Sequence, residues 1–132
     1  MMITRDIGAL GEKLAARYLR RNGFRILEKN LHVSHNEIDI IAINKEFIIF
    51  AEVKTRSVDA EMCQMSFGTP AAAVTRSKQT RLISAAKGYL SGISNKRIAS
   101  RQPRMDVIEI YLDRSNGKLL KINHITDAFG AY

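Results

Sequence analysis

Three carboxylates and one ammonium sit on two adjacent apolar segments. Glu37 and Asp39 belong to Glu37-Ile38-Asp39-Ile40-Ile41-Ala42-Ile43, and Glu52 and Lys54 to Phe47-Ile48-Ile49-Phe50-Ala51-Glu52-Val53-Lys54. If Lys45-Glu46 is a two-residue turn, antiparallel pairing sets Asn44 opposite Phe47, Asp39 opposite Glu52 and Glu37 opposite Lys54. Opposed residues share a face, as do residues two apart on a strand, so the four charges converge on one patch. A three-residue turn would instead put Asp39 beside Ala51.

The remainder of the hairpin is apolar on both sides. Ile38, Ile40, Ala42, Ile49, Ala51 and Val53 form one face, and Ile41, Ile43, Ile48 and Phe50 the other. Such strands lie inside a covered sheet, where carboxylates suffer desolvation unless something positive meets them. Lys54 neutralises one, and a hard divalent cation with oxygen ligands accounts for the others. The plain alternative is a cross-strand ion pair, Glu37 to Lys54, at a sheet end facing water.

The elements that would position this patch read as follows. Ile7, Leu10, Leu14 and Tyr18 recur at helical spacing and predict a helix from about Thr4 to Asn22, stopped by Gly23. Gly8, Gly11, Ala15 and Ala16 give that helix a small-residue surface that lets it lie close to a sheet. Glu12 borders this surface, either as a solvated helix glutamate or as a contributor to the carboxylate patch. Phe24–Glu28 reads as a short strand and Asn30–Asn36 as a loop. After the hairpin, Thr55–Thr69 is polar and irregular, placed to touch substrate or cover the patch. Pro70 opens a helical region to about Ser91, with Leu82, Ala86, Tyr89 and Leu90 as the buried stripe. Lys78 lies at helical spacing from Leu82, Ala85 and Tyr89, which aims it inward toward phosphate or the patch. Met105–Leu112 reads as a strand, Asp113–Gly117 as a turn, Lys118–Ile122 as a strand, and Ile125–Phe129 as a last helical turn. The order predicts an α/β (α+β) fold, a mixed sheet flanked by helices, in one domain spanning residues 1–132.

Composition narrows the function classes. No apolar run reaches membrane-spanning length, and Met1–Asp6 lacks the layout of a signal peptide. The lone Cys63 excludes an intramolecular disulfide and a cysteine-rich zinc site, and fits a reducing, cytoplasmic setting. His32, His35 and His124 have no metal-ligand spacing and read as loop or surface residues. Lysine and arginine outnumber aspartate and glutamate by 21 to 13, a formal charge of +8. A strongly basic chain suggests a polyanionic partner, nucleic acid first.

With the hairpin and its flanking elements in place, the chain resembles the PD-(D/E)xK nuclease superfamily. It resembles more closely the YraN-like family of small bacterial proteins, regarded as endonucleases related to archaeal Holliday-junction resolvases. The matching residues run from Gly11-Glu12, Tyr18-Leu19, Gly23 and Asn30 through Glu37-Ile38-Asp39 and Glu52-Val53-Lys54-Thr55-Arg56. They continue through Phe67-Gly68-Thr69-Pro70, Ala73-Val74, Lys78, Tyr89-Leu90 and Arg104-Met105-Asp106-Val107-Ile108. Ile38 stands where the superfamily name has proline, and Met105 where a bulkier aromatic is common.

The resemblance implies a restriction-endonuclease-like mixed sheet of about five strands and metal-dependent cleavage of DNA, including branched or repair intermediates. It implies that Asp39 and Glu52 hold Mg²⁺ or Mn²⁺ with the Val53 carbonyl, and that Glu37 or Glu12 completes the shell. Lys54 would orient the water or stabilise developing charge. Arg56 and Lys78 would clamp phosphate, with simple surface cations as the alternative for both. Paired cuts would favour a homodimer. Two other function classes compete: a non-catalytic nucleic-acid-binding or adaptor protein, and a domain whose basic face docks an acidic protein.

Overall fold

Apolar residues on both faces of the central strands demand cover on both sides, and two helices supply it. The computed structural model describes residues 4–61 and 74–130. Its elements are α1 (Thr4–Arg21), β1 (Arg25–Val33), β2 (Asn36–Ile43), β3 (Phe47–Val58), α2 (Arg76–Ser91), α3 (Lys96–Ala99), β4 (Gln102–Asp113) and β5 (Leu119–Ile125). The strands form one mixed sheet in the order β1-β2-β3-β4-β5, with β3 and β4 parallel and every other pair antiparallel. This is the α+β fold with a five-stranded mixed sheet that the sequence predicts. Among the described residues no helix is long and apolar enough to cross a membrane.

One core lies under α1, where Ala15, Ala16 and Leu19 meet Ile40, Ala42, Ile49, Ala51, Ile108 and Ile110. The other lies under α2, where Leu82, Ala85 and Ala86 meet Ile41, Ile43, Ile48, Phe50, Met105 and Val107. The parity expected of the β2–β3 hairpin holds: Ile43 pairs with Ile48 and Ile40 with Ala51, and the Asn44 N–H donates to the Phe47 carbonyl (3.0 Å). Asn44 also caps the turn, its Oδ1 accepting from the Glu46 and Phe47 N–H groups at 2.9 and 2.7 Å.

Several local expectations are corrected. Asn30–Val33 is not loop but the continuation of β1, closed onto β2 by Ser34 and His35, both at positive φ (47° and 72°), the conformation of a tight hairpin turn. Ile38 packs in the α2-side core, away from Ile40 and Ala42. Asn30, at φ 51°, lies between the pairs Lys29–Ile40 and Leu31–Ile38, and so directly faces Asp39. That left-handed residue distorts the alternation where Ile38 changes sides. α2 starts at Arg76, with Thr75 as its N-cap (Oγ1 accepting from the Lys78 N–H at 3.1 Å), whereas Pro70 lies outside the described residues. Cys63 and Phe67-Gly68-Thr69 lie outside them too. Ile125 ends β5, and no helix follows over residues 126–130.

His124 is not a surface residue. Its Nδ1 meets the Tyr18 hydroxyl (2.9 Å) and its Nε2 meets Asp106 Oδ2 (2.7 Å). Asp106 is fully buried and also takes both Arg104 Nε and Nη2 at 2.8 Å and the Asp127 N–H at 3.0 Å. Burial alone would push its carboxyl up, but the bonds from His124 and Arg104 outweigh it and hold the group below the usual carboxylate range. The network ties α1, β4 and β5 together behind the sheet.

Gly11 sets how close α1 comes to β3. A Cβ there would overlap the Thr55 side chain, 2.8 Å from its Cβ, an atom the backbone fixes. Gly8 has open space around the same position. Gly11→Ala should therefore destabilise the protein by about 1–3 kcal/mol despite alanine's helix propensity, the cost of overpacking. Gly8→Ala should stabilise it by roughly 0.5–1 kcal/mol through helix propensity alone. Urea unfolding of both variants checks this; equal effects of one sign would refute the close approach.

Candidate functional site

The β2–β3 ladder ends at Ile40–Ala51. Alternation from the Asn44–Phe47 hydrogen bond would next have the Val53 N–H donate to the carbonyl of Ile38. Instead Asp39 Oδ2 accepts from the Val53 N–H at 2.8 Å. A side-chain carboxylate thus takes up the backbone donor freed where the two strands stop pairing. Asp39 and Glu52 are close in space but are not ladder partners, and neither are Glu37 and Lys54.

Four elements bring charge to this point. α1 supplies Glu12, held near by the contact at Gly11; β2 supplies Glu37 and Asp39; β3 supplies Glu52 and Lys54; α2 supplies Lys78. Glu12, Glu37 and Asp39 each offer a carboxylate oxygen, all within 4.8 Å of one another. Three hard oxygen ligands at this spacing could hold a metal ion. Glu12 is accordingly no freely solvated helix glutamate.

Glu52 is 5% exposed and engaged differently. Its Oε1 lies 2.7 Å from Lys78 Nζ and 3.7 Å from Lys54 Nζ. Lys78 therefore points inward as its helical spacing predicts, and its partner is a carboxylate. Burial would lower its pKa, but the hydrogen bond to Glu52 and the charge of Glu52 and Asp39 raise it. Arg56 is also engaged: its Nε meets Glu109 Oε2 at 3.3 Å. Glu109 is buried and also accepts from the Tyr111 hydroxyl (2.9 Å) and Asn123 Nδ2 (3.2 Å). The Arg56 guanidinium, 41% exposed, is anchored at one nitrogen and otherwise faces outward.

Asn30 is a site residue that the carboxylate pattern does not reveal. Oriented as its neighbours dictate, its amide nitrogen donates to both oxygens of Glu12 (2.6 and 3.1 Å) and to Glu37 Oε1 (3.1 Å). Asparagine tolerates the left-handed backbone that this position adopts, so one residue both bends β1 and bridges two acids. Its match within the family resemblance is the only sequence signal that marks it.

The electrostatics show an excess of negative charge. Burial first, then the Glu52 charge, pushes the Asp39 carboxyl up to about 7, against the lowering effect of the Val53 N–H; Glu12 and Glu37 add to the rise. Glu12 is raised as well, by burial and by Glu37. The two lysines are directed to Glu52, which leaves Glu12, Glu37 and Asp39 without a cation within ion-pair reach among the described residues.

An α+β sheet with an acidic cluster where two strands part defines the class, and sequence relatives give the family. Residues 11–110 match the model of the uncharacterised protein family UPF0102. A UPF0102 protein of Caldanaerobacter subterraneus subsp. tengcongensis is 42% identical over 125 residues, covering 95% of each chain. Another, of Alkaliphilus oremlandii, is 44% identical over 129 residues (96% of this chain, 100% of that one), and one of Chlorobaculum tepidum 41% over 123 residues (93% and 91%). The chain belongs to the UPF0102 family, the YraN-like family that its sequence resembles.

The raised Asp39 pKa has a signed consequence for stability. A carboxyl whose folded value lies above its unfolded value stabilises the fold fully below about pH 4, and that contribution is lost as the pH rises through about 7. The metal-free protein should therefore melt several degrees lower at pH 8 than at pH 6. Asp39→Asn should flatten that difference, and thermal unfolding across this range reads both. An unchanged pH slope in the variant would contradict the assignment.

Proposed function

We propose that this chain is a divalent-metal-dependent nuclease that hydrolyses DNA phosphodiester bonds. The observation that carries the reading is the convergence of Glu12, Glu37, Asp39 and Glu52 with Lys54 and Lys78 where β2 and β3 stop pairing. An electronegative pocket in a chain of formal charge +8 suits a cation bound together with a polyanion. Glu12, Glu37 and Asp39 would hold Mg²⁺ or Mn²⁺, with Glu52 and the Val53 carbonyl on the side toward β3. A bound divalent ion of this kind supplies Lewis acidity toward phosphate and lowers the pKa of a bound water.

The chain's own residues do the positioning. Lys54, two residues from Glu52 on the same strand face, reaches Glu52 only at 3.7 Å and so retains donors for the attacking water or a phosphate oxygen. Lys78, at 2.7 Å, holds the Glu52 carboxylate in place. Arg56, braced by Glu109, presents its remaining guanidinium donors beyond Lys54 on β3, placed to clamp a flanking phosphate. Cleavage at branched or repair intermediates is the substrate class this reading favours.

End-labelled duplex, single-strand, flap and four-way-junction DNA incubated with Mg²⁺ or Mn²⁺ test the proposal. Cleavage should require metal, vanish in Asp39→Ala, and fall on the order of 10²–10³-fold in Lys54→Ala. Both variants should remain folded by circular dichroism. DNA binding should weaken steeply with salt, with a log–log slope of about −0.9 per neutralised duplex phosphate. Metal-dependent cuts that persist in Asp39→Ala would sink the assignment; salt-sensitive binding without any cut would favour a binding protein instead.

A further inference from the structure

A second hollow adjoins the acidic cleft on the α1 face of the sheet. The two share Ile7, and the cleft's Thr55 lies two residues before the hollow's Ser57 on β3. The hollow has a volume of about 450 Å³, lined by Ile7, Ser57 and Leu112 and by the turn from Asp113 to Gly117. We propose that it receives an unpaired nucleobase of the DNA strand whose phosphate lies at the acidic site, an inference that rests on the nuclease reading above.

Position, size and lining support this occupant. The step from Thr55 to Ser57 is about 6.6 Å along the strand, so an extended strand crossing the cleft reaches the hollow with its next residue. The volume falls in the range of small-ligand sites, roughly 300–1,000 Å³. Ile7, half-buried, gives apolar contact for the face of a base, over a floor closed by the buried Leu112. Asn116 spends its Oδ1 on the Lys118 N–H (2.9 Å), and its amide NH₂ has no partner among the described residues, leaving donors for a base edge.

Asp113 decides between base and phosphate. Its Oδ1 accepts from the Ser115 N–H and hydroxyl at 2.8 and 2.7 Å, bonds that hold the carboxyl below its ordinary pKa and keep it anionic. A fixed negative charge repels phosphate and accepts from base N–H groups. Phosphate contact falls instead to Arg114 at the rim, its side chain 64% exposed, donating to the Ser57 carbonyl (3.1 Å) and lying 3.8 Å from Asp59. A stacked, paired base cannot enter such a hollow, so the subsite selects DNA with an unpaired nucleotide beside the cut.

Fluorescence anisotropy with labelled single-strand and fully paired oligonucleotides of one sequence tests this on the full chain, without metal and with Mg²⁺. The single strand should bind about tenfold more tightly than the duplex. Ile7→Trp, which fills the hollow, should bring the two affinities within about twofold of each other, and Asn116→Ala should weaken single-strand binding several-fold. Equal affinities in the parent protein would overturn the proposal, as would a preference retained in a folded Ile7→Trp. If Ile7→Trp does not fold, Asn116→Ala on the exposed turn decides: a selective loss of single-strand binding supports the subsite, and unchanged binding or an equal loss for both DNAs rejects it. The two readings fail separately. Intact preference without cleavage rejects the nuclease and leaves the subsite, while cleavage without preference does the reverse.

Discussion

The acidic site depends on where the β2–β3 ladder stops. Beyond Ile40–Ala51 a backbone donor on β3 needs an acceptor, and the Asp39 carboxylate provides it. An orphaned buried N–H costs about as much as a lost hydrogen bond, so the bond to Val53 is an obligation of the fold as well as a feature of the site. It fixes Asp39 in the gap between the strands, where both helices can reach it. The parallel β3–β4 pairing continues alongside to Val58–Asp113, so β3 stays rigid past the point at which β2 leaves it. A frame of this kind holds a carboxylate in place more firmly than a loop would.

Once strands part inside a covered sheet, the charges placed there are partly desolvated, and the surroundings are built to tolerate some and not all of them. Glu52, the most buried of the four acids, is met by two lysines. Glu12 and Glu37 are bridged by a neutral amide, Asn30, which satisfies oxygens without cancelling charge. Among the described residues Asp39 accepts only from a backbone N–H, and its carboxyl rises to about 7. Contrast Asp106, fully cut off from water, whose His124 and Arg104 partners hold its carboxyl low. The buried Asp106 has its charge balanced by His124 and Arg104, whereas the half-buried Asp39 has no such partner among the described residues. Carboxylates crowded together without a cation are expensive, and their concentration at one cleft is the physical argument for function there.

Much of this was legible in the chain. Turn parity at Lys45-Glu46 gave the hairpin register, and two-faced apolar strands gave the covered sheet. The helical spacing of Lys78 gave its inward direction, and the small residues of α1 anticipated the contact at Gly11. What escaped depends on tertiary partners. The extension of β1 past Asn30 requires a left-handed residue inside a strand, which local propensity reads as a loop. The burial of His124 follows from Asp106 and Tyr18, distant in sequence. The engagement of Arg56 by Glu109 comes from the parallel pairing of β3 with β4, which no local pattern encodes. The grouping of the acids, Glu52 with the two lysines and Glu12 and Glu37 around Asn30 beside Asp39, likewise needs three dimensions.

Direct titration with Mn²⁺ tests whether the acidic cluster is a divalent-cation site, without any assumption about substrate. Electron paramagnetic resonance of the free ion, read at pH 8 where Asp39 is ionised, reports binding even when it is weak. Binding to the parent protein should be saturable, lost in folded Asp39→Ala and weakened in Glu12→Gln and Glu37→Gln. Absence of saturable binding in the parent, or binding indifferent to all three substitutions, would contradict a cation site there.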